Sequence, residues 1–327
     1  SMSHKELKTE EDNDQEQEER ARSAAYTLGK ELNEEQVAWL EENLKQEPQD
    51  LISRLELIGY YQFQSREEGQ KQWCRHILAL IENHPDLTGY AAAIVMNAGR
   101  KMSPEQFAEA RHLWQKKTEE HPDNGAVHGN AGAFLLFADL ETADRLLDRA
   151  CLLEPFNVRW PAHLSLFHYM AFKKAGDKAE YHAERVVKYG RQSVDLGSPT
   201  PWLDLEHMGE CALAKGNPQE ARAFAAELSN LNIHATHRQA ANAITGLAAL
   251  QEGQKETAVA LLLAKEEGFT SHRLTWKLAS ALLHEQEREA VSVCINQYRQ
   301  PLGKLADQWL AALEKGSTPD FRQAEEN

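Results

Sequence analysis

Three prolines mark a period in this chain. Pro85 and Pro122 each close an acidic run as His-Pro-Asp, at Ile81-Glu82-Asn83-His84-Pro85-Asp86 and at Glu119-Glu120-His121-Pro122-Asp123. Pro155 closes a third run, Leu153-Glu154-Pro155-Phe156. They lie 37 and then 33 residues apart. A recurrence of about 20–50 residues marks one supersecondary unit repeated, because a single unit cannot bury its apolar face alone. What repeats is helical. Apolar residues return at three and four, as in Leu51, Leu55, Ile58 and in Leu135, Leu136, Leu140, which is the period of a helix face. Alternating runs rich in Val, Ile and Thr, the pattern of strands, are missing. Ser103-Pro104, Thr200-Pro201 and Asn217-Pro218 each place a capping side chain before a proline at the first helical position. Ser103 with Gln106 and Asn33 with Gln36 have the spacing of a capping box. Short connections between helices make neighbours antiparallel. The fold class expected is therefore all-α, built of helical hairpins.

The unit from 124 to 155 carries a pattern of small and bulky positions. Its first helix offers Ala131 and Phe134, its second Ala143, Leu147 and Ala150, and Pro155 closes it. The unit from 202 to 233 offers Leu205, Met208, Gly209 and Ala212, then Ala221, Ala225 and Leu228. The unit from 239 to 272 offers Gly246 and Ala249, then Ala258 and Leu262. This pattern resembles the tetratricopeptide repeat, whose period is about 34 residues. Val127 and Asn130 stand where the family has Trp and Leu. The resemblance implies a right-handed α-α superhelix over residues 23–315. Small residues such as Ala143, Gly209 and Gly246 would let the two helices of one hairpin approach closely, and bulky ones fill the gap to the next hairpin.

Composition bounds the ends and the partners. Residues 1–20 hold eight acids against three bases. So few apolar groups cannot offset ordering entropy, and residues 1–22 are expected to form a disordered acidic tail. Residues 316–327 are expected to form a flexible C-terminal tail. The chain has 327 residues, 36 Lys plus Arg and 51 Asp plus Glu, a net charge of −15. That balance argues against nucleic acid and anionic membranes as partners, since both attract positive surface. No run of about 18 apolar residues exists to span a membrane. Nor does the start carry an apolar stretch like that of a secretory signal. Cys74, Cys151, Cys211 and Cys294 are widely separated, which suits reduced thiols and a cytoplasmic location.

Chemistry is thin. His207 and Cys211 are spaced i, i+4, but zinc needs three or four ligands and spacing supplies no third; no metal and no cofactor are expected. No GxSxG elbow, HExxH or Gly-rich phosphate loop occurs, so a non-enzyme is expected. The aromatic groups Tyr60, Tyr61, Phe63, Trp73 and Trp160, Phe167, Tyr169, Phe172 read as core or as docking pockets. The family resemblance implies a concave groove lined by first helices. It places Leu203, Glu206, Glu210 and Leu213 there from one unit, His128 and Leu135 from another, and Leu247 and Leu250 from a third. The Lys/Arg/Asn clamp that some members use for a C-terminal carboxylate is not reproduced at those positions. The expected function is a protein-interaction scaffold holding a protein or peptide. The inward Glu206 and Glu210 would favour a segment with Lys or Arg beside large apolar residues. Two rivals stand beside it: an enzyme or enzyme subunit with a site built across units, and a self-assembling structural protein.

Overall fold

A computed structural model of the chain describes residues 4–64, 66–174, 176–264 and 272–324, with side chains from residue 14 onward. It is helical throughout, and no strand occurs among the described residues. The helices fall into two units, residues 1–160 and 161–327.

The first unit runs α1 (His4–Leu28), α2 (Glu34–Gln46), α3 (Leu51–Gln62), α4 (Glu67–Asn83), α5 (Gly89–Ala98), α6 (Pro104–Glu120), α7 (Gly125–Leu135), α8 (Leu140–Leu153) and the start of α9 (Arg159–Phe172). Local chemistry sets its helix starts. The capping boxes expected at Asn33–Gln36 and Ser103–Gln106 both form, with the cap oxygen accepting the third N–H and the Gln side chain accepting the cap N–H. That arrangement satisfies two donors that would otherwise have no partner at a helix start. Asp50, Asn124 and Asp139 cap α3, α7 and α8 in the simpler way. α7 lies against α8 as a hairpin, and α5 and α6 both touch α7.

The second unit continues with the rest of α9, then α10 (Ala179–Asp195), α11 (Pro201–Ala214), α12 (Pro218–Asn230), α13 (Ala235–Gln251), α14 (Lys255–Leu263), α15 (Arg273–His284), α16 (Arg288–Gln297), α17 (Arg299–Leu302) and α18 (Lys304–Glu314). Successive helices from α10 to α16 touch, save that α13 also reaches past α14 to α15. Alternate helices touch as well: α11 with α13, α13 with α15, α14 with α16, and α16 with α18. This is the contact pattern of stacked hairpins. One continuous apolar core results, from Leu205 and Met208 through Ile244 and Leu278 to Trp309.

Two expectations about small residues and tails change here. Gly209 and Gly246 are buried, but the close approach they permit is to the next hairpin. A Cβ on Gly209 would stand 2.9 Å from Ile244 Cδ1 of α13, and one on Gly246 would stand 2.6 Å from Leu278 Cδ2 of α15. Ala143, at 0% exposure, does lie within its own hairpin, where its carbonyl is 3.1 Å from the Cβ that Gly132 lacks. Of the stretch expected as an acidic tail, residues 4–22 belong to α1, and residues 1–3 lie outside the described residues. Its acids pair along the helix, Glu16 with Arg20 at 2.6 Å and Glu19 with Arg22 at 2.8 Å. Glu19 also accepts the Tyr90 backbone N–H at 2.8 Å, at the start of α5, where a carboxylate is favoured. α1 then lies close on α3, since a Cβ at Gly59 would stand 2.0 Å from the Tyr26 carbonyl oxygen. At the other end, Phe321 opens a short 3₁₀ turn (Phe321–Ala324) and is 9% exposed. It stacks on Trp276 and meets Trp309 edge-on, at 5.6 and 5.0 Å between ring centres.

Candidate partner-binding surface

The second unit gathers most of the residues that the sequence points to. Pro201 starts α11, and the helix period then places Glu206 and Glu210 one turn apart on one face. Both are buried, at 5% and 1% exposure. Isolated carboxylates cannot be buried at reasonable cost, so they need partners. α15 supplies them, in the matching spacing. Arg273 pairs with both glutamates, and Lys277 Nζ lies 3.2 Å from Glu210 Oε2. His272 Nε2 stands 3.3 Å from Glu206 Oε2. From α9 the Tyr169 hydroxyl donates to Glu210 Oε1 at 2.7 Å, and from the turn just after it Lys173 Nζ stands 3.8 Å from Glu210 Oε2. All four carboxylate oxygens are therefore answered within the chain. α13, which touches both α11 and α15, carries the buried Ala240 and Ala243 between them.

The titration of these groups follows from that geometry. Burial pushes the Glu210 carboxyl upward, but the Arg273 hydrogen bond and charge, with Lys277, outweigh it and hold the group at about 2. Burial likewise opposes ionisation of Glu206, and His272 and Arg273 hold it below the usual carboxylate value. His207, between the two glutamates in sequence, stacks flat on Tyr169 with ring centres 3.6 Å apart. Burial lowers it to about 4 against the pull of both glutamates, so at neutral pH it is an uncharged ring in the wall. Burial pushes the Cys211 thiol up to about 12, far from a thiolate.

This arrangement replaces the inward acidic face expected from the sequence. Glu206 and Glu210 are not available to a partner, and the exposed charges that face them are the ammonium groups of Lys173 and Lys277. Lys173 and Lys277 side chains are each 49% exposed, against 0% and 7% for Glu210 and Glu206. They open on a cavity of about 330 Å³ that Leu274, Trp276 and Phe321 also line, together with the ion pair of Arg322 and Asp320, 2.9 Å apart. Leu213 is core, and Leu247 and Leu250 are half-buried against the same core, so they do not form an open apolar strip. Leu203 is half-buried. His128 and Leu135 belong to the first unit. His128 Nε2 donates to the Pro122 carbonyl at 3.1 Å, and both residues line a cavity of about 450 Å³ with Trp114 and Arg145.

Sequence reasoning missed Arg273, Lys277 and Lys173, and it singled out Tyr169 only as one of an aromatic group, not as a partner of Glu210. One signal was present: a pair of cations spaced i, i+4 on α15 matches the pair of acids spaced i, i+4 on α11. It also missed a buried contact between His168 and His182, whose Nδ1 atoms are 2.9 Å apart. Among the described residues, no three His, Cys, Asp or Glu side chains are placed to hold one metal ion. The four cysteines are buried and unbridged. No described helix is long and apolar enough to cross a membrane. No protein-family model and no curated protein matches the chain.

Proposed function

We propose that this chain is a non-catalytic, tetratricopeptide-like scaffold whose second unit binds a segment of a partner protein. Its hairpins would stack in the right-handed sense that the resemblance implies. The reading rests on one observation: two buried glutamates are fully engaged by Arg273, Lys277, Lys173, His272 and Tyr169, beside a cavity with aromatic walls. A catalytic carboxylate must reach a substrate, and these have no free oxygen with which to do so. A partner meets instead the exposed ammonium groups of Lys173 and Lys277 next to Trp276 and Phe321. Charge complementarity then selects the opposite sign from the one expected on sequence grounds. The partner segment carries Asp or Glu beside a large apolar residue.

The test is an array of short peptides probed with the full-length chain, in which acidic–apolar, basic–apolar and neutral–apolar motifs are compared at two salt concentrations. Acidic–apolar peptides should be retained, and less so as salt rises, because exposed charges are screened beyond about 8–10 Å. Lys173→Glu with Lys277→Glu should weaken that binding several-fold. Retention of basic peptides in preference, or no retention of any class, would refute the reading.

A further inference from the structure

The stretch that follows α18 is held like a bound peptide. Gly316, at φ +76°, and Ser317 close the helix. Their N–H groups donate to the Leu313 and Ala312 carbonyls at 3.0 and 2.9 Å, and Arg288 donates to the Gly316 carbonyl at 3.0 Å. The fixed frame ends there. Residues 317–320 have no regular structure, and burial then alternates: Pro319 and Phe321 are buried, and Thr318, Asp320 and Arg322 are exposed. Side chains that alternate in and out belong to an extended segment laid on a surface. Both inward side chains line the cavity of about 330 Å³ shared with Trp276, Lys173 and Lys277. Phe321 lies nearly parallel to Trp276, with the planes 14° apart. Beyond it, Gln323 Oε1 accepts from Trp309 Nε1 at 3.4 Å, a long bond.

Asp320-Phe321 is itself an acid beside a large apolar residue, the pair that the proposed partner segment carries. One feature sets it apart. Arg322 Nε and Nη2 donate to the two Asp320 oxygens at 2.9 and 3.1 Å, so this carboxylate answers its own segment. Lys173 and Lys277, on the same cavity, stay half-exposed. A partner with the same acid–apolar pair but no Arg two residues on would engage those ammonium groups in addition. The chain's own stretch is the weaker ligand of the two, which makes it displaceable. Its advantage is proximity. Thr318 alone joins the fixed frame to Pro319, and so short a tether gives an effective concentration of about a millimolar or more.

We propose that residues 318–324 are a built-in, displaceable ligand of the α15 surface, with Phe321 in the seat on Trp276 that a partner's apolar residue takes. The inference rests on the reading of that surface as a partner site. Only the open state accepts the partner, so its apparent affinity falls by the open fraction.

The experiment compares the full chain with Phe321→Ala and Phe321→Leu, using a fluorescein-labelled peptide of residues 317–324. Phe321→Ala should bind this peptide with a dissociation constant of about 10–100 μM, the range that a millimolar tether converts into a mostly closed site. The wild type should bind it tenfold or more weakly, and Phe321→Leu, which keeps an apolar side chain in the seat, should resemble the wild type. The same peptide carrying Arg322→Ala frees Asp320 for the lysines and should bind about two- to fivefold more tightly. Acidic–apolar peptides of foreign sequence should bind Phe321→Ala tenfold or more tightly than wild type, and at saturation they should speed tryptic cleavage of the wild type after Arg322. No binding of the 317–324 peptide to Phe321→Ala, equal binding to wild type, or cleavage slowed or unmoved by a bound foreign peptide would each overturn the proposal. Failure of the partner reading is distinct: the 317–324 peptide binds Phe321→Ala as stated and no foreign peptide binds either protein, which supports the built-in ligand and removes the partner class.

Discussion

Replacing Glu210 with Gln removes the most enclosed charge of the second unit while keeping its shape. The Gln carbonyl can still accept from Tyr169, so the change isolates the ionic contribution. The carboxyl sits at about 2 in the fold against 4.5 for the free group. At about 1.4 kcal/mol per unit, the difference is worth about 3 kcal/mol. The group is 1% exposed, so solvent screening takes little from this figure. Because the folded value lies below the unfolded one, the contribution is complete above about pH 5 and shrinks as the pH falls. It loses about 1 kcal/mol by pH 4 and about 2 kcal/mol by pH 3, as protons bind the unfolded chain first. The measurement is urea unfolding of wild type and Glu210→Gln at pH 7, 4 and 3, with equal slopes required before midpoints are compared. Glu210→Gln should be less stable at pH 7 by about 3 kcal/mol, and the two curves should converge as the pH falls. A gap that stays constant between pH 7 and pH 3 would refute the ionic account. It would leave hydrogen bonding to Tyr169 and packing as the source of any effect.

Three further outcomes follow from close packing. Gly59→Ala gains about 1 kcal/mol of helix propensity, yet its Cβ would stand 2.0 Å from the Tyr26 backbone oxygen. Net destabilisation should result and α1 should come loose, read as faster proteolysis near residue 26. Gly246→Ala meets only the end of the Leu278 side chain, which can turn aside, so its urea midpoint should stay within about 1 kcal/mol of wild type. Phe321→Ala removes the stack on Trp276 and the edge contact to Trp309. It should cost about 3 kcal/mol and change the near-ultraviolet circular dichroism; an unchanged spectrum would mean that the C-terminal turn does not dock there.

Local features were legible because their causes lie within a few residues. The Asn33–Gln36 and Ser103–Gln106 boxes, the capped, proline-led starts of α6 and α12, and the burial of Ala131, Ala143, Ala221 and Ala258 all answer to backbone donors three residues away or to a helix period; at α11 Pro201 does start the helix, but the Thr200 side chain makes no capping bond. The candidate site was legible only as a list of first-helix positions. Leu203, Glu206, Glu210 and Leu213 do share α11, and Leu247 and Leu250 share α13. What the glutamates meet was not legible, since Arg273 and Lys277 lie 67 residues beyond them and no local rule pairs such distant groups.

The sequence by itself determined that the chain is all-α, where many of its helices begin, and which residues lie on a common face, because hydrogen bonds and side-chain direction repeat with the helix. The tertiary structure alone decided three things. Glu206 and Glu210 became buried counter-charges rather than an open acidic face. Gly209 and Gly246 came to serve the contact between hairpins. The acidic start and the end at Phe321 were brought onto the fold. Each depends on which surface arrives from far along the chain. Burial changes the energy of a charge by several kcal/mol, more than any local preference, so the groups packed above a residue decide its role.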